Sequence, residues 1–260
     1  MSRIEDSIRV EKDSRGYAFI PYLMSGFPSE EDFIKAGRLL SKYSRVMEIG
    51  IPYSDPVADG PTIQLAHNAV LMKKLKLREL IALSSEIKAE KVIMTYFSPI
   101  HRTGIDKFVS LINEYGITGL LVPDLPVELA GELVSKCREY KIDNIFLVSP
   151  NTREERMRLV SLNSNGFIYV VQRYGVTGES KEVYGPIKEV IVKLRSITNK
   201  PIGVGFGVSR GEHIKQLVEM GADAIIVGSH IINTIKNGVD EKKLDEEIKD
   251  LLIKLKDKLS

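Results

Sequence analysis

The 260-residue chain holds a single cysteine, Cys137, so no intrachain disulfide and no cysteine-based zinc cluster can form. Cys137 falls on the stripe Ala130, Leu133, Val134, Cys137, at i, i+3, i+4, i+7 spacing, and is expected as a buried core thiol. Charge of one sign is also missing: 37 Lys+Arg against 35 Asp+Glu leave +2, which argues against a nucleic-acid protein that depends on a broad basic field. No apolar run approaches the ~20 residues that span a bilayer. The first residues, MSRIEDSIRVEKDSRG, are charged from the third onward and contain no apolar core of a secretory signal. A cytoplasmic chain is the expectation. None of the histidines, His67, His101, His213 and His230, pairs at metal-ligand spacing; each reads as a surface or helix-face residue, and no metal site is expected. A G-x-G-x-x-G after the first strand, the mark of an open dinucleotide-binding sheet, is absent.

What is present is alternation. Hydrophobic residues at 43% and charged residues at 28% are close to the globular average and argue against global disorder. Strand-length apolar runs recur at 18–22, 46–49, 92–96, 119–122, 144–148, 167–171, 201–204 and 224–227. Helix-periodic stripes lie between them, such as Phe108, Leu111, Ile112, Tyr115 and Ile187, Val190, Ile191, Leu194. The last stripe runs Leu244, Ile248, Leu251, Leu252, Leu255, Leu259, with a solvated Lys-rich face. Thr152–Glu155 and Ser209–Glu212 read as capping boxes, Ser29–Asp32 as a looser one. Strands buried on both faces and alternating with helices imply a parallel sheet, and eight such units imply a single (β/α)8 TIM barrel occupying 1–260. The second βα loop is enlarged, with turn-rich 52–61 followed by helical pieces near 62–72 and 76–88; the sixth, 172–186, reads as a mobile lid.

Two constellations can carry chemistry. Glu48 interrupts an apolar strand near its C-terminal end, with Arg45 on the opposite face. If apolar walls enclose it, its pKa rises, as suits a group that both gives and takes a proton; a barrel-interior ion pair with a distant Lys or Arg is the alternative. Asp55 and Asp59 follow in Ser-Asp-Pro and Ala-Asp-Gly-Pro contexts, where each taken alone reads as a turn-maker. If they converge on one mouth, two carboxylates form an acid/base pair. The second constellation is Gly203–Ser209 after the seventh strand and Gly228-Ser229 after the eighth, where barrels bind phosphate through backbone N–H groups; Val176-Thr177-Gly178 could complete such a cradle, and plain tight turns are the alternative. No lysine interrupts a strand end as a Schiff-base lysine would.

The segment Glu48-Ile-Gly-Ile-Pro-Tyr-Ser-Asp-Pro-Val-Ala-Asp-Gly-Pro-Thr-Ile-Gln64 resembles the signature E-x-G-x-P-x-S-D-P-x-A-D-G-P-x-I-Q of tryptophan synthase α subunits. Ile20-Pro21-Tyr22, Pro123–Pro126, Gly175–Gly178, Gly205–Gly207 and Gly228-Ser229 resemble family motifs in the family's order. The resemblance implies a cofactor-free (β/α)8 lyase that splits indole-3-glycerol phosphate into indole and glyceraldehyde 3-phosphate. It further implies an α2β2 assembly with a β subunit that alone carries pyridoxal phosphate, and no nucleic-acid or membrane partner. By the same resemblance, Glu48 and Asp59 are the catalytic carboxylates, and Gly178, Gly207, Gly228 and Ser229 hold the phosphate. Tyr22, Met94, Leu121 and Tyr169 line the indole pocket or support a carboxylate, Thr177 belongs to the lid, and Asp55 and Pro56 press on the partner. Gly26-Phe27-Pro28, Ser98 and Gln172-Arg173 depart from the family's usual Gly-Asp-Pro, Asn and Ser-Arg. Two other readings stand beside this one: another phosphate-binding barrel of aromatic biosynthesis, and a barrel kept as an allosteric binding subunit.

Overall fold

The computed structural model describes residues 2–171, 185–205 and 207–252. Its strands are β1 (Ala18–Met24), β2 (Val46–Gly50), β3 (Glu90–Met94), β4 (Gly119–Leu121), β5 (Asp143–Ile145), β6 (Leu147–Val148), β7 (Ile168–Val171), β8 (Ile202–Gly205) and β9 (Ala224–Val227). All pair in parallel, in the order β5-β4-β3-β2-β1-β9-β8-β7-β6. The expected fifth strand, 144–148, is broken at Phe146 into β5, which pairs with β4, and β6, which pairs with β7. The Phe146 carbonyl still accepts the Tyr169 N–H (3.1 Å), so the ring of strands closes through this one interrupted strand. This is the (β/α)8 barrel that the alternation implied.

Helix α1 (Arg3–Arg15), capped by the Ser2 side chain, lies under the barrel. Its Ile4 and Ile8 are fully buried against the interior residues Ala18, Ile20, Val46, Val92, Ala224 and Ile226. Glycine makes this contact possible: a Cβ on Gly119 would lie 2.6 Å from the Ile4 Cδ1. Glu11, on the same helix, accepts the Phe19 N–H (3.1 Å) and the Arg45 N–H, satisfying donors at the sheet's N-terminal end. Among the described residues the floor is plugged, and the opposite, C-terminal end of the barrel is the end open to a substrate.

The helices cover the outer face as their stripes predict. Ile187, Val190, Ile191 and Leu194 of Gly185–Ile197 are buried, as are Leu244, Ile248 and Leu251 of Glu241–Leu251. Leu255 and Leu259 lie outside the described residues. Helix α2 (Glu30–Leu40) starts at Ser29, whose hydroxyl accepts the Asp32 N–H (3.0 Å) as expected. The other two capping boxes are not formed. Arg153 and Arg210 occupy the cap positions; the Thr152 hydroxyl instead accepts the Ser149 N–H (3.0 Å), stabilising the preceding turn. The enlarged second loop holds α3 (Pro61–Leu71) and the helix Leu77–Leu83. Cys137 is fully buried, and burial pushes its thiol up to about 12, the core role expected. No helix among the described residues is long and apolar enough to cross a membrane.

Candidate active site

Each parallel strand ends at the open mouth, so side chains near strand C-termini converge there. They surround a cavity of about 660 Å³. Glu48 from β2, Tyr22 from β1, Met94 from β3, Leu121 from β4 and Tyr169 from β7 all line it, as do Asp59, Gly207, Gly228 and Ser229. Thr177 and Gly178 lie outside the described residues, as does all but the end of the expected lid.

Glu48 is 2% exposed. Its Oε2 has no hydrogen-bond partner and its carboxyl no ion pair among the described residues, which removes the ion-pair alternative there. Arg45 is exposed on the other face, as the period-2 geometry required. Burial, reinforced by the negative charge of Asp59, pushes the Glu48 carboxyl up to about 8. It is therefore protonated at neutral pH yet able to ionise.

Asp59 is not a turn-maker through its side chain. The turn is closed by backbone bonds, Asp59 N–H to Pro56 O (3.0 Å) and Val57 N–H to Asp55 O (2.9 Å). Its Oδ2 accepts the Tyr96 hydroxyl (2.7 Å) and lies 3.1 Å from His67 Nε2. Asp55 does not line this cavity: it is exposed, and Pro56 is half-buried, in the same loop. The expected convergence of carboxylates thus involves Glu48 with Asp59, not Asp55.

His67 and Tyr96 were not legible as site residues. His67 is 2% exposed, not on the surface; its signal was the stripe Ile63, Ala66, His67, Val70, which marks the buried face of α3. Tyr96 lies two residues past β3, stacked on Tyr53 at 5.0 Å between ring centroids. His101 is exposed, and His230 is half-buried within 3.5 Å of Glu247.

Two glycines of the mouth make room for tyrosines. A Cβ on Gly50 would overlap the Tyr22 hydroxyl, and one on Gly205 would overlap the Tyr169 hydroxyl. Gly203, expected in the phosphate turn, packs instead within β8 beneath Phe167. Gly205→Ala is expected to force the Tyr169 ring out of the cavity wall, costing about 1–3 kcal/mol by denaturant titration together with a loss of turnover. Unchanged stability and turnover would refute that packing account. The remaining rim is open: Gly207 has φ +53°, nothing stands within 4 Å of where its Cβ would be, and Gly228 caps the helix Ser229–Ile235. Lys91, a strand lysine, is buried at the β3 start, far along the strand from the mouth, and burial pulls its pKa down.

A closed barrel whose mouth sets a buried, high-pKa carboxyl against a second carboxylate defines a barrel enzyme of the acid/base class. Comparison with known proteins narrows the class. The profile of the tryptophan synthase alpha chain matches residues 9–259. The chain is 41% identical over 249 residues to the tryptophan synthase alpha chain of Rippkaea orientalis, covering 94% of this chain and 93% of that one. It is 41% identical over 247 residues to that of Methanosarcina acetivorans, covering 92% and 89%. It superposes with TM-score 0.85 on a chain from the tryptophan synthase α2β2 complex of Pyrococcus furiosus, at 36% identity, covering 92% and 98%. The chain belongs to the tryptophan synthase alpha chain family.

Proposed function

We propose that the chain cleaves indole-3-glycerol phosphate to indole and glyceraldehyde 3-phosphate, with Glu48 as the proton carrier and Asp59 as the charge-stabilising carboxylate. The observation that carries the reading is Glu48 itself, buried without a counter-ion among the described residues, protonated near neutrality, and facing the same cavity as Asp59.

Indole is a poor carbanion leaving group, so C3 must be protonated before the C–C bond breaks. Glu48 delivers that proton, and the ring nitrogen becomes an iminium cation. Asp59 accepts the N–H hydrogen bond and stabilises the positive charge. The C3–C bond then breaks and its electron pair restores the aromatic ring. The adjacent hydroxyl becomes the aldehyde, returning its proton to the Glu48 carboxylate. The proton balance is zero, and no cofactor enters. Gly207, Gly228 and Ser229 hold the phosphate; Gly178 and Thr177, assigned to the cradle and the lid by the family resemblance, lie outside the described residues. Met94, Leu121 and Tyr169 bound the indole.

Tyr22 lies between the two ends of the substrate. Its Cα pairs in register with that of Glu48, and a Cβ on Gly228 would lie 3.5 Å from the Tyr22 Cβ. Its hydroxyl is buried without a partner among the described residues, so it is free for the glycerol hydroxyls. Tyr22→Phe removes an unsatisfied polar group, so it should leave stability equal or higher while lowering kcat/KM about tenfold. Parallel melting curves and steady-state assays check this; unchanged kcat/KM would leave the tyrosine a packing residue only.

The partner is a β subunit that consumes the indole and carries the pyridoxal phosphate. Asp55 and Pro56 sit on the docking loop with Val57, which is 64% exposed and so available to be covered. One domain over 1–260, acting in the cytoplasm, completes the reading. Release of glyceraldehyde 3-phosphate from indole-3-glycerol phosphate by the purified chain tests it.

A further inference from the structure

We propose that His67 is a positioning residue for Asp59: it fixes which carboxylate oxygen the substrate meets. The inference rests on the lyase reading above for its kinetic consequence, and on geometry alone for its structural one. His67 sits on the buried face of α3, and its ring is held at both nitrogens. The Tyr53 N–H donates to Nδ1 at 2.9 Å. An Nδ1 that accepts cannot carry the proton, so the neutral ring is protonated at Nε2, and Nε2 donates to Asp59 Oδ2 at 3.1 Å. The Tyr96 hydroxyl donates to the same oxygen at 2.7 Å and is itself oriented by the Ala58 N–H, which it accepts at 3.0 Å.

Both donors therefore reach one oxygen, Oδ2. No donor among the described residues reaches Oδ1. A carboxylate rotates about a broad, two-fold torsion, and two fixed donors on one oxygen remove that freedom. Oδ1 is left as the acceptor for a substrate N–H in the cavity that Asp59 lines. The backbone of residues 53–58 holds both donors, so the loop that carries Asp59 also sets its orientation.

Two conservative variants divide the histidine's two bonds. Asn at 67 keeps an acceptor near the Nδ1 position but cannot reach Asp59; Gln places its amide near the Nε2 position and can. His67→Asn is expected to lower kcat about ten- to hundredfold with KM within about twofold, while His67→Gln retains kcat within about threefold. Equal loss in both variants, a change in KM alone, or no change in His67→Asn would overturn the inference. The parent chain is assayed alongside, and its failure to turn over would strike the lyase reading instead. A long-range 1H–15N spectrum of the parent then still decides the structural claim: the Nε2–H tautomer supports it, and an Nδ1–H tautomer overturns it whatever the activity.

Discussion

Glu48→Gln is expected to lower kcat by at least about 10³-fold while leaving binding of the substrate phosphate within about twofold, because in the proposed mechanism one side chain serves both proton transfers and general acid–base catalysis alone is worth about 10²–10⁴. Gln has nearly the same shape and cannot give up a proton to C3. The proposed phosphate-binding rim at Gly207, Gly228 and Ser229 belongs to other loops of the cavity, so affinity there should survive. The parent's kcat/KM should fall as pH rises through about 8, where free-enzyme Glu48 loses its proton.

The same substitution has a stability consequence independent of activity. In the unfolded chain Glu48 ionises near the ordinary 4.5; in the folded chain it keeps its proton to about 8. Between those values the folded state binds more protons than the unfolded one. Stability therefore falls as pH rises through that window, by about 1.4 kcal/mol per pH unit at most from this group. Gln does not titrate, so Glu48→Gln should flatten this slope and leave the variant more stable than the parent at pH 8.5, and less favoured relative to the parent at pH 4.5. Denaturant midpoints of both proteins across that range check the sign. A parent whose stability rose from pH 6 to 8.5 relative to the variant would contradict the buried, protonated Glu48.

Asp59→Asn should act on the chemical step as well, lowering kcat about 10²–10³-fold, the scale on which removing one preorganised charge-stabilising group acts, with KM changed little. Asn can still accept a hydrogen bond from the indole N–H, so binding of the neutral ground state is retained. It lacks the negative charge that opposes the iminium cation, which exists only after protonation. A change in KM with kcat preserved would make Asp59 a binding residue only. The Tyr96 hydroxyl and the His67 ring, which donate to Oδ2, would also lose the charge that their bonds serve.

How much could be read from the sequence depended on the range of the interactions. Strand runs, helix stripes and Glu48 within an apolar strand are local signals, and the (β/α)8 barrel followed from them. So did the Ser29 cap. The break at Phe146 was not legible, because the run Ile145–Val148 is apolar throughout and only pairing on two different sides divides it. Thr152 and Ser209 matched a capping pattern, yet the observed cap positions lie one residue further on, at Arg153 and Arg210. Asp59 alone suggested a turn. Its role depends on Tyr96, 37 residues away, and on His67 from the next helix, neither of which announces that contact in one dimension. The glycines of β8 looked like a phosphate turn because backbone flexibility and space for a neighbouring ring leave the same letter in the sequence; Gly203 and Gly205 serve Phe167 and Tyr169.

The most direct test is cleavage of indole-3-glycerol phosphate by the purified chain, read as glyceraldehyde 3-phosphate released, with Glu48→Gln as the control and with a cognate β subunit absent or present. The account predicts release that depends on Glu48 and rises when the partner is added. No release in either condition, with the substrate phosphate still bound tightly, would contradict it and leave a regulatory barrel in its place.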